Sequence, residues 1–425
     1  MTVEFSPLRA SVASLMMLGC CMARAAGDAA GEAGGVATDP ARRWSFGGFG
    51  TLGAVHSSEK AADFTANALN PGDAGYGRNW SAAVDSRIGV QLGVNLDGAW
   101  SAVLQLVSER SLRGGYAPKV EWANLQYQAT PDLSVRAGRI ALPVFLSGDY
   151  RKAGYALAWV RPPVELYSAI PISNSDGIDA SYRWRSGDAN HVTQVFIGRT
   201  DLALPSAARA QARALSGLSN TTTAGALTVR ASFMTTRLTV DIARELFDAM
   251  GAFGAQGAAL AARYDIDDVR ADIAAIGFNY DPGAWFAMGE IGRLNGRSYL
   301  GDKTAAYLSA GYRVGDFTPY VVYSAARANT ATSVAGLDLA ALPPPLAAAG
   351  ARLNAGLNQL LAAIPRQHSV SAGVRWDVCP DHALKLQLDR ITPHAGSHGT
   401  FINVQPGFRS GRPVTVVSAA LDFVF

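Results

Sequence analysis

The chain has 425 residues, 49% hydrophobic and 17% charged, with a formal charge of +3. So small a charge leaves no footprint for nucleic acid or a strongly acidic partner. No apolar run beyond the N-terminus approaches the ~20 residues of a spanning helix, so the apolar content is dispersed over many short elements.

The N-terminus reads as a targeting segment. Arg9 supplies positive charge, Val12 to Met22 an apolar stretch, and Ala23-Arg24-Ala25 a small-residue cleavage site. Residues 1–25 are expected to be a signal peptide and 26–43, rich in Gly and Ala, a flexible lead-in. Cleavage there leaves Cys379 as the one cysteine of the mature chain, with no intrachain disulfide. A competing reading keeps Cys20, after Met17-Leu18-Gly19, as a lipid-modified terminus.

Residues 44–425 parse as about sixteen strands: 44–56, 86–96, 99–110, 119–128, 132–140, 176–185, 190–200, 223–234, 237–247, 270–280, 284–294, 303–314, 316–327, 368–378, 382–393 and 413–425. Alternate connections are short and built from turn residues: Asp97-Gly98, Thr130-Pro131, Ser186-Gly187-Asp188, Thr235-Thr236, Asp281-Pro282-Gly283, Gly315 and Cys379-Pro380-Asp381. The others are longer: 57–85, 111–118, 141–175, 201–222, 248–269, 295–302, 328–367 and 394–412. Strands of this length, with short turns opposite long loops, predict an all-β fold: a transmembrane antiparallel β-barrel with periplasmic turns and termini and extracellular loops.

Two further patterns agree with this. Trp44, Trp100, Trp184, Trp285 and Trp376 fall near strand ends on the short-turn side, joined by Tyr280, Tyr312, Phe423 and Phe425, as expected for an interfacial aromatic girdle. Individual strands also alternate. Leu227, Val229, Ala231 and Phe233 oppose Thr228, Arg230 and Ser232; Ile178, Ala180, Tyr182 and Trp184 oppose Asp179, Ser181, Arg183 and Arg185. Val370, Ala372, Val374 and Trp376 oppose Arg375 and small polar residues, and Leu384, Leu386 and Leu388 oppose Lys385, Gln387 and Asp389. The closing run PVTVVSAALDFVF places Val417, Ala419, Leu421, Phe423 and Phe425 on one face. Charge on a lipid-facing position costs several kcal/mol near the midplane, so the polar faces look inward. Sixteen strands enclose an aqueous lumen, and Arg185, Arg230, Arg375 and Lys385 are predicted to line it.

The connection 141–175, ALPVFLSGDYRKAGYALAWVRPPVELYSAIPISNS, is aromatic-rich and apolar for a surface loop. It is predicted to fold into the lumen and narrow it, bringing Asp149, Arg151, Lys152, Arg161 and Glu165. The neighbouring strands add Arg136 and Arg139 before it and Asp176, Asp179 and Arg183 after it. Opposed carboxylates and guanidinium groups across a constriction filter solutes by charge and size. Pinning of the loop to the wall by Arg161-Pro162-Pro163 is the alternative role for those residues.

The signal segment, sixteen-strand layout, long third loop and terminal Phe425 resemble the general porins of Gram-negative bacteria. The stretch Arg136-Ala137-Gly138-Arg139, with Pro143, Asp149-Tyr150, Gly154-Tyr155 and Trp159-Val160-Arg161-Pro162-Pro163, is similar to proteobacterial porin-like proteins. That resemblance implies an outer-membrane channel for passive diffusion of small hydrophilic solutes, a homotrimer, recognition of the terminal aromatic residue by the barrel-assembly machinery, and lipid and lipopolysaccharide as surroundings. The chain lacks a dense ladder of consecutive arginines on one wall, so the resemblance implies no strong ion preference. Arginine makes up all but five of the 37 basic residues; anion selection and a high-GC genome explain this equally well.

Residues 334–364, with Leu353, Leu357, Leu360 and Leu361 at helical spacing after Pro343-Pro344-Pro345, and residues 247–262 read as apolar helical loops. They are expected over the mouth, against a neighbouring subunit or lipopolysaccharide, or packed within the loop itself. Enzyme motifs for metal, phosphate or acyl chemistry do not occur, so no enzyme activity, cofactor or metal site is predicted. His394, Ser397 and His398 cluster in the last long loop and are the place an embedded hydrolase would start; an adhesive or structural barrel is the other alternative.

Overall fold

The computed structural model describes residues 43–205 and 208–425; the signal segment, Cys20 and the lead-in up to residue 42 lie outside the described residues. Among them, sixteen long antiparallel strands close into a barrel. They are β1 Trp44–Ser57, β2 Arg87–Asn95, β3 Trp100–Glu109, β4 Lys119–Gln128, β5 Leu133–Ala141, β6 Asn174–Ser186, β7 Ala189–Ala203 and β8 Arg209–Ala224. They continue as β9 Leu227–Val240, β10 Val269–Tyr280, β11 Trp285–Asn295, β12 Lys303–Tyr312, β13 Phe317–Ala328, β14 Gln367–Cys379, β15 His382–Pro393 and β16 Val414–Val424. Each pairs with its sequence neighbours, and β1 pairs with both β2 and β16. A two-residue piece, Trp80–Ser81, docks on the upper end of β1. In lipid an unpaired backbone group costs several kcal/mol, and closure removes the sheet edge where such groups would stand.

The seam is sealed by side chains as well as ladders. Phe423 and Phe425 lie on the outer face against Gly50 and Gly48 of β1, where a Cβ would meet the phenylalanine rings. The C-terminal aromatic residue therefore occupies a slot left by glycine, an arrangement that also pins register. The girdle is outward: Trp44, Trp100, Trp184 and Trp285 are exposed on the barrel exterior near the turns, with Tyr127, Tyr280, Tyr312 and Phe317. Trp100 packs on Tyr127 and Phe317 stacks on Trp376.

The sequence parse fails at one hairpin. Residues 209–222, expected inside a long loop, form β8 together with 223–224, the turn falls at Gly225 (φ +55°), and Thr235-Thr236, expected as a turn, lie within β9. Residues 241–247, expected to end a strand, begin the helical connection. Two features hide β8. Its inward positions Gly217, Ser219, Thr221 and Thr223 are small and polar, and a bulge at Ala214 (φ +48°) shifts its alternation. One strand missed and one split in two cancel, which leaves the count at sixteen.

Outside the barrel mouth, helices Arg244–Gly251, Gly254–Tyr264 and Pro344–Ala362 share a small apolar core: Phe247, Met250, Tyr264, Ile266, Leu357 and Leu361 are buried together. Asn354 and Asn358 each bond both the N–H and the carbonyl of a residue in the preceding loop, Leu337 and Val334. Of the places expected for the apolar loops, the described contacts are those of packing loop on loop. The first and last long connections also meet, with Phe64, Val84, Phe401 and Val416 in one cluster.

Gly50→Val should displace Phe423 and overpack the seam, costing about 1–3 kcal/mol. Urea titration of the folded barrel, read by its gel mobility with and without heating, should show this loss. Gly98→Ala in an open turn, with nothing near its Cβ, should change nothing.

Candidate functional site

The third loop, residues 142–173, leaves β5 and turns into the barrel. Its apolar side chains need cover from water, and the barrel exterior is given to lipid, so the inner wall is where they find it. Leu142, Val144, Phe145, Trp159, Leu166 and Tyr167 bury against the inward residues Phe196, Leu215, Met234, Phe286, Tyr307 and Tyr320. Each such side chain taken from water contributes about 1.5–3 kcal/mol. Part of the lumen is thus a packed core.

Polar bonds fix the loop along its length. At its start the Ser232 hydroxyl donates to the Val144 carbonyl at 2.5 Å, Arg230 Nη1 donates to Phe145 at 2.9 Å, and the Leu146 N–H donates to Glu290 at 2.7 Å. At its middle Lys385 Nζ donates to the carbonyls of Gly154 (2.7 Å) and Trp159 (2.9 Å) and pairs with Asp422 at 2.8 Å. Arg375 Nη1 bonds the carbonyls of Tyr155 and Leu157. A Cβ at residue 154 would strike Asp422 and Thr51, so only glycine lets the loop approach this closely. Trp159 Nε1 donates to Ser309 Oγ at 2.9 Å.

Arg161 is the hub of the far end. Its guanidinium takes Asp85 bidentately at 2.9 and 2.6 Å, Asp389 at 3.3 Å and Ser418 Oγ at 2.6 Å, and it is 4% exposed. Phe64 stacks against it at 5.2 Å. Glu165, also buried, accepts from Ser324 at 2.7 Å, Gln367 at 2.6 Å and Ser369. Burying these charges is tolerable because each is bonded on every side the neighbours reach.

The predicted site residues therefore separate into groups. Arg136 faces inward and holds Asp179 bidentately at 3.0 and 2.6 Å, with Gln194 on the same carboxylate. Asp149 lies 3.3 Å from Arg230, and Arg151 donates to the Ile170 carbonyl at 3.0 Å. Arg183 and Arg185 follow Asp179 on the inward face toward the short turn and are exposed there. Arg161, Glu165, Arg375 and Lys385, expected to present charge to the opening, are spent on the loop and wall.

Arg139 is corrected outright. It pairs with Asp176 at 2.7 Å across unbroken β5–β6 register, three residues from inward Arg136 and opposite inward Gly138 and Ile140. Side chains alternate along a strand, so Arg139 and Asp176 stand on the outer face.

Asp85, Glu109, Glu121 and Glu290 also hold the loop, though no motif or spacing in the sequence marks them. Lys152 bridges Glu109 at 2.7 Å and Glu121 at 2.8 Å, tying the loop to β3 and β4. Burial opposes the Lys152 charge, but the two carboxylates outweigh it and raise its pKa above the ordinary lysine value.

The last loop does not assemble a nucleophile. The buried Ser397 hydroxyl donates to the Ile364 carbonyl and accepts from the N–H groups of Arg366 and Gly399. His394 instead stacks on His368, with Nε2 and Nδ1 2.7 Å apart. Burial, then His368 and Arg366, hold His394 below the usual imidazole range.

Three measurements follow from this geometry. Arg161→Ala strands Asp85 and Asp389, and should cost about 3–5 kcal/mol in denaturant unfolding; Arg139→Ala breaks a half-exposed pair and should stay within about 1 kcal/mol. Because the folded His394 pKa is lowered, the unfolded loop binds the proton more readily. Its contribution is intact above the ordinary histidine pKa and is lost as pH falls below about 6.5. Acidification from pH 7.5 to 5 should speed protease cleavage within residues 394–412, and His394→Asn should reduce that pH dependence, the remainder belonging to His398, which burial also holds below the usual imidazole range.

No protein-family model matches the chain, and no curated protein matches it in sequence. Solved structures do match over nearly its whole length. The outer membrane channel DcaP of Acinetobacter baumannii aligns at TM-score 0.53 and 9% identity, covering 90% of this chain and 97% of its own. The anion-selective porin from Comamonas acidovorans aligns at 0.52 and 13%, covering 90% and 99%. Salmonella typhi OmpF, in complex with daunomycin, gives 0.51 and 12%, covering 89% and 97%. At this identity the likeness is one of fold, and with the outward apolar face and aromatic girdle it makes the chain a sixteen-stranded outer-membrane β-barrel with the architecture of the porins.

Proposed function

We propose that the protein is a passive diffusion channel for small hydrophilic solutes, with its selectivity set where the third loop narrows the lumen. The observation that carries this reading is the distribution of charge around the loop. The loop packs mainly on β7 to β16, and away from that core the inward face carries Arg136, Arg183 and Arg185 against Asp179. Guanidinium groups exceed carboxylates there, which favours anions in a water-filled passage. Arg151 brings the loop's own charge to the same side, where Lys152 is matched by Glu109 and Glu121.

The outer face supports the accompanying partners. At the upper strand ends it turns from apolar to charged: Arg199, Arg293, Arg327 and Arg390 are exposed and outward, and Arg237 and Arg270 stand there paired with Asp268 and Asp272. An arginine belt at that level suits the phosphates of lipopolysaccharide. The homotrimer and reading of Phe425 by the barrel-assembly machinery rest on the resemblance in sequence layout. Passive diffusion asks for no cofactor and no catalysis.

In a planar bilayer under a salt gradient, purified folded protein should give discrete conductance steps with a reversal potential of anion-preferring sign. Arg183→Ala combined with Arg185→Ala should move that potential toward cations. Absence of steps, with ester or phospholipid hydrolysis by the same preparation, would replace the channel reading with an enzymatic one.

A further inference from the structure

The upper lumen contains a charged cavity between the third loop, the end of β3 and the first long loop. Its volume is about 60 Å³, room for roughly four to six waters. The lining carries Arg87, Arg110, Arg151, Lys152 and Arg161 against a single carboxylate, Glu109.

Most of these charges are already matched. Lys152 is held by Glu109 and Glu121, Arg110 by Asp73 at 2.7 Å, and Arg161 by Asp85 and Asp389. Arg87 and Arg151 are different. Among the described residues neither has a carboxylate within ion-pair distance: Arg87 donates through Nε to the Asp85 carbonyl at 3.2 Å and Arg151 through Nη1 to the Ile170 carbonyl. Two guanidinium nitrogens at the cavity, Arg151 Nη2 and Arg110 Nε, are buried with no acceptor at all. A buried donor without an acceptor is destabilising, the more so when it is charged. The cavity's carboxylate, Glu109, by contrast has its cation in Lys152.

We propose that this cavity binds one small oxyanion, a phosphate, sulfate or carboxylate group, that accepts from Arg151 Nη2, Arg110 Nε and the Arg87 guanidinium. The donor geometry selects the class. Guanidinium forks match oxygens spread over a tetrahedral or planar anion better than they match a spherical halide, and three donor groups converging from two loops and a strand end suit several acceptor oxygens. The electrostatics agree: burial lowers the Arg151 pKa, the nearby Glu121 and Glu109 oppose that, and Arg87 adds to it. A bound anion relieves the burial and the repulsion together. The site deepens the channel reading by naming a solute class, but occupancy does not require that anything cross the membrane.

Calorimetric titration of the refolded full-length barrel with phosphate, sulfate and succinate, in chloride at constant ionic strength, tests this. Saturable binding of at least one oxyanion at one site per chain is expected, weakened at least tenfold in Arg151→Gln and in Arg87→Gln. Both variants should retain the heat-modifiable mobility of the folded barrel; Arg87→Gln serves if Arg151→Gln does not fold. No saturable binding of any of the three anions, or equal binding by wild type and the folded variants, overturns the proposal. Binding without bilayer conductance would leave this site standing and remove the channel reading; conductance without binding would do the reverse.

Discussion

A chain that crosses lipid as strands must satisfy every backbone N–H and carbonyl across a closed ladder, and it must keep charge off one face of each strand. Both demands meet at β1, which is bonded to β2 on one edge and β16 on the other. Everything else in the molecule follows from where that leaves polarity. Charged side chains have three places to go: the lumen, the loops and the upper rim. The inner wall accordingly carries Asp179, Glu290, Lys385, Asp389 and Asp422, all buried.

A wall so polar would repel an apolar loop if its groups were unpaired. Here they are the loop's partners. Lys385, Arg375 and Arg230 bond loop carbonyls, Glu290 and Gln387 accept loop N–H groups, and Asp85 and Asp389 take Arg161. The loop's own hydrocarbon then packs over the inward Phe196, Leu215, Met234 and Tyr320. The lumen is divided into a filled part, with the properties of a protein interior, and a charged part along the remaining wall.

The fold was legible in the sequence because alternation, turn residues and the tryptophan band are local signals that agree. β8 was not, since Gly217, Ser219, Thr221 and Thr223 face inward without a hydrophobic counter-rhythm and Ala214 bulges. The third loop's entry into the barrel could be read from its aromatic content. The partners of its charges could not: Asp85 lies 76 positions from Arg161 and Ser418 lies 257 away, and no spacing rule connects them. Arg139 is the opposite case. It was expected at the constriction with Arg136, yet an odd spacing of three on one strand puts the two side chains on opposite faces.

The Arg161 clamp also orders events in time. Of its partners, Asp85 is made early, but Asp389 and Ser418 belong to β15 and β16, and the acid held by Lys385 is Asp422, a few residues from the end of the chain. The far end of the third loop, around Arg161, cannot complete its contacts until the last two strands are in place, so the clamp closes late in assembly. Contacts of such long sequence separation make folding slow and leave sticky intermediates. Closure of the clamp is thus a late signature of a finished barrel: an Arg161 held by Asp85 alone, without Asp389 and Ser418, marks a cylinder still open at its seam.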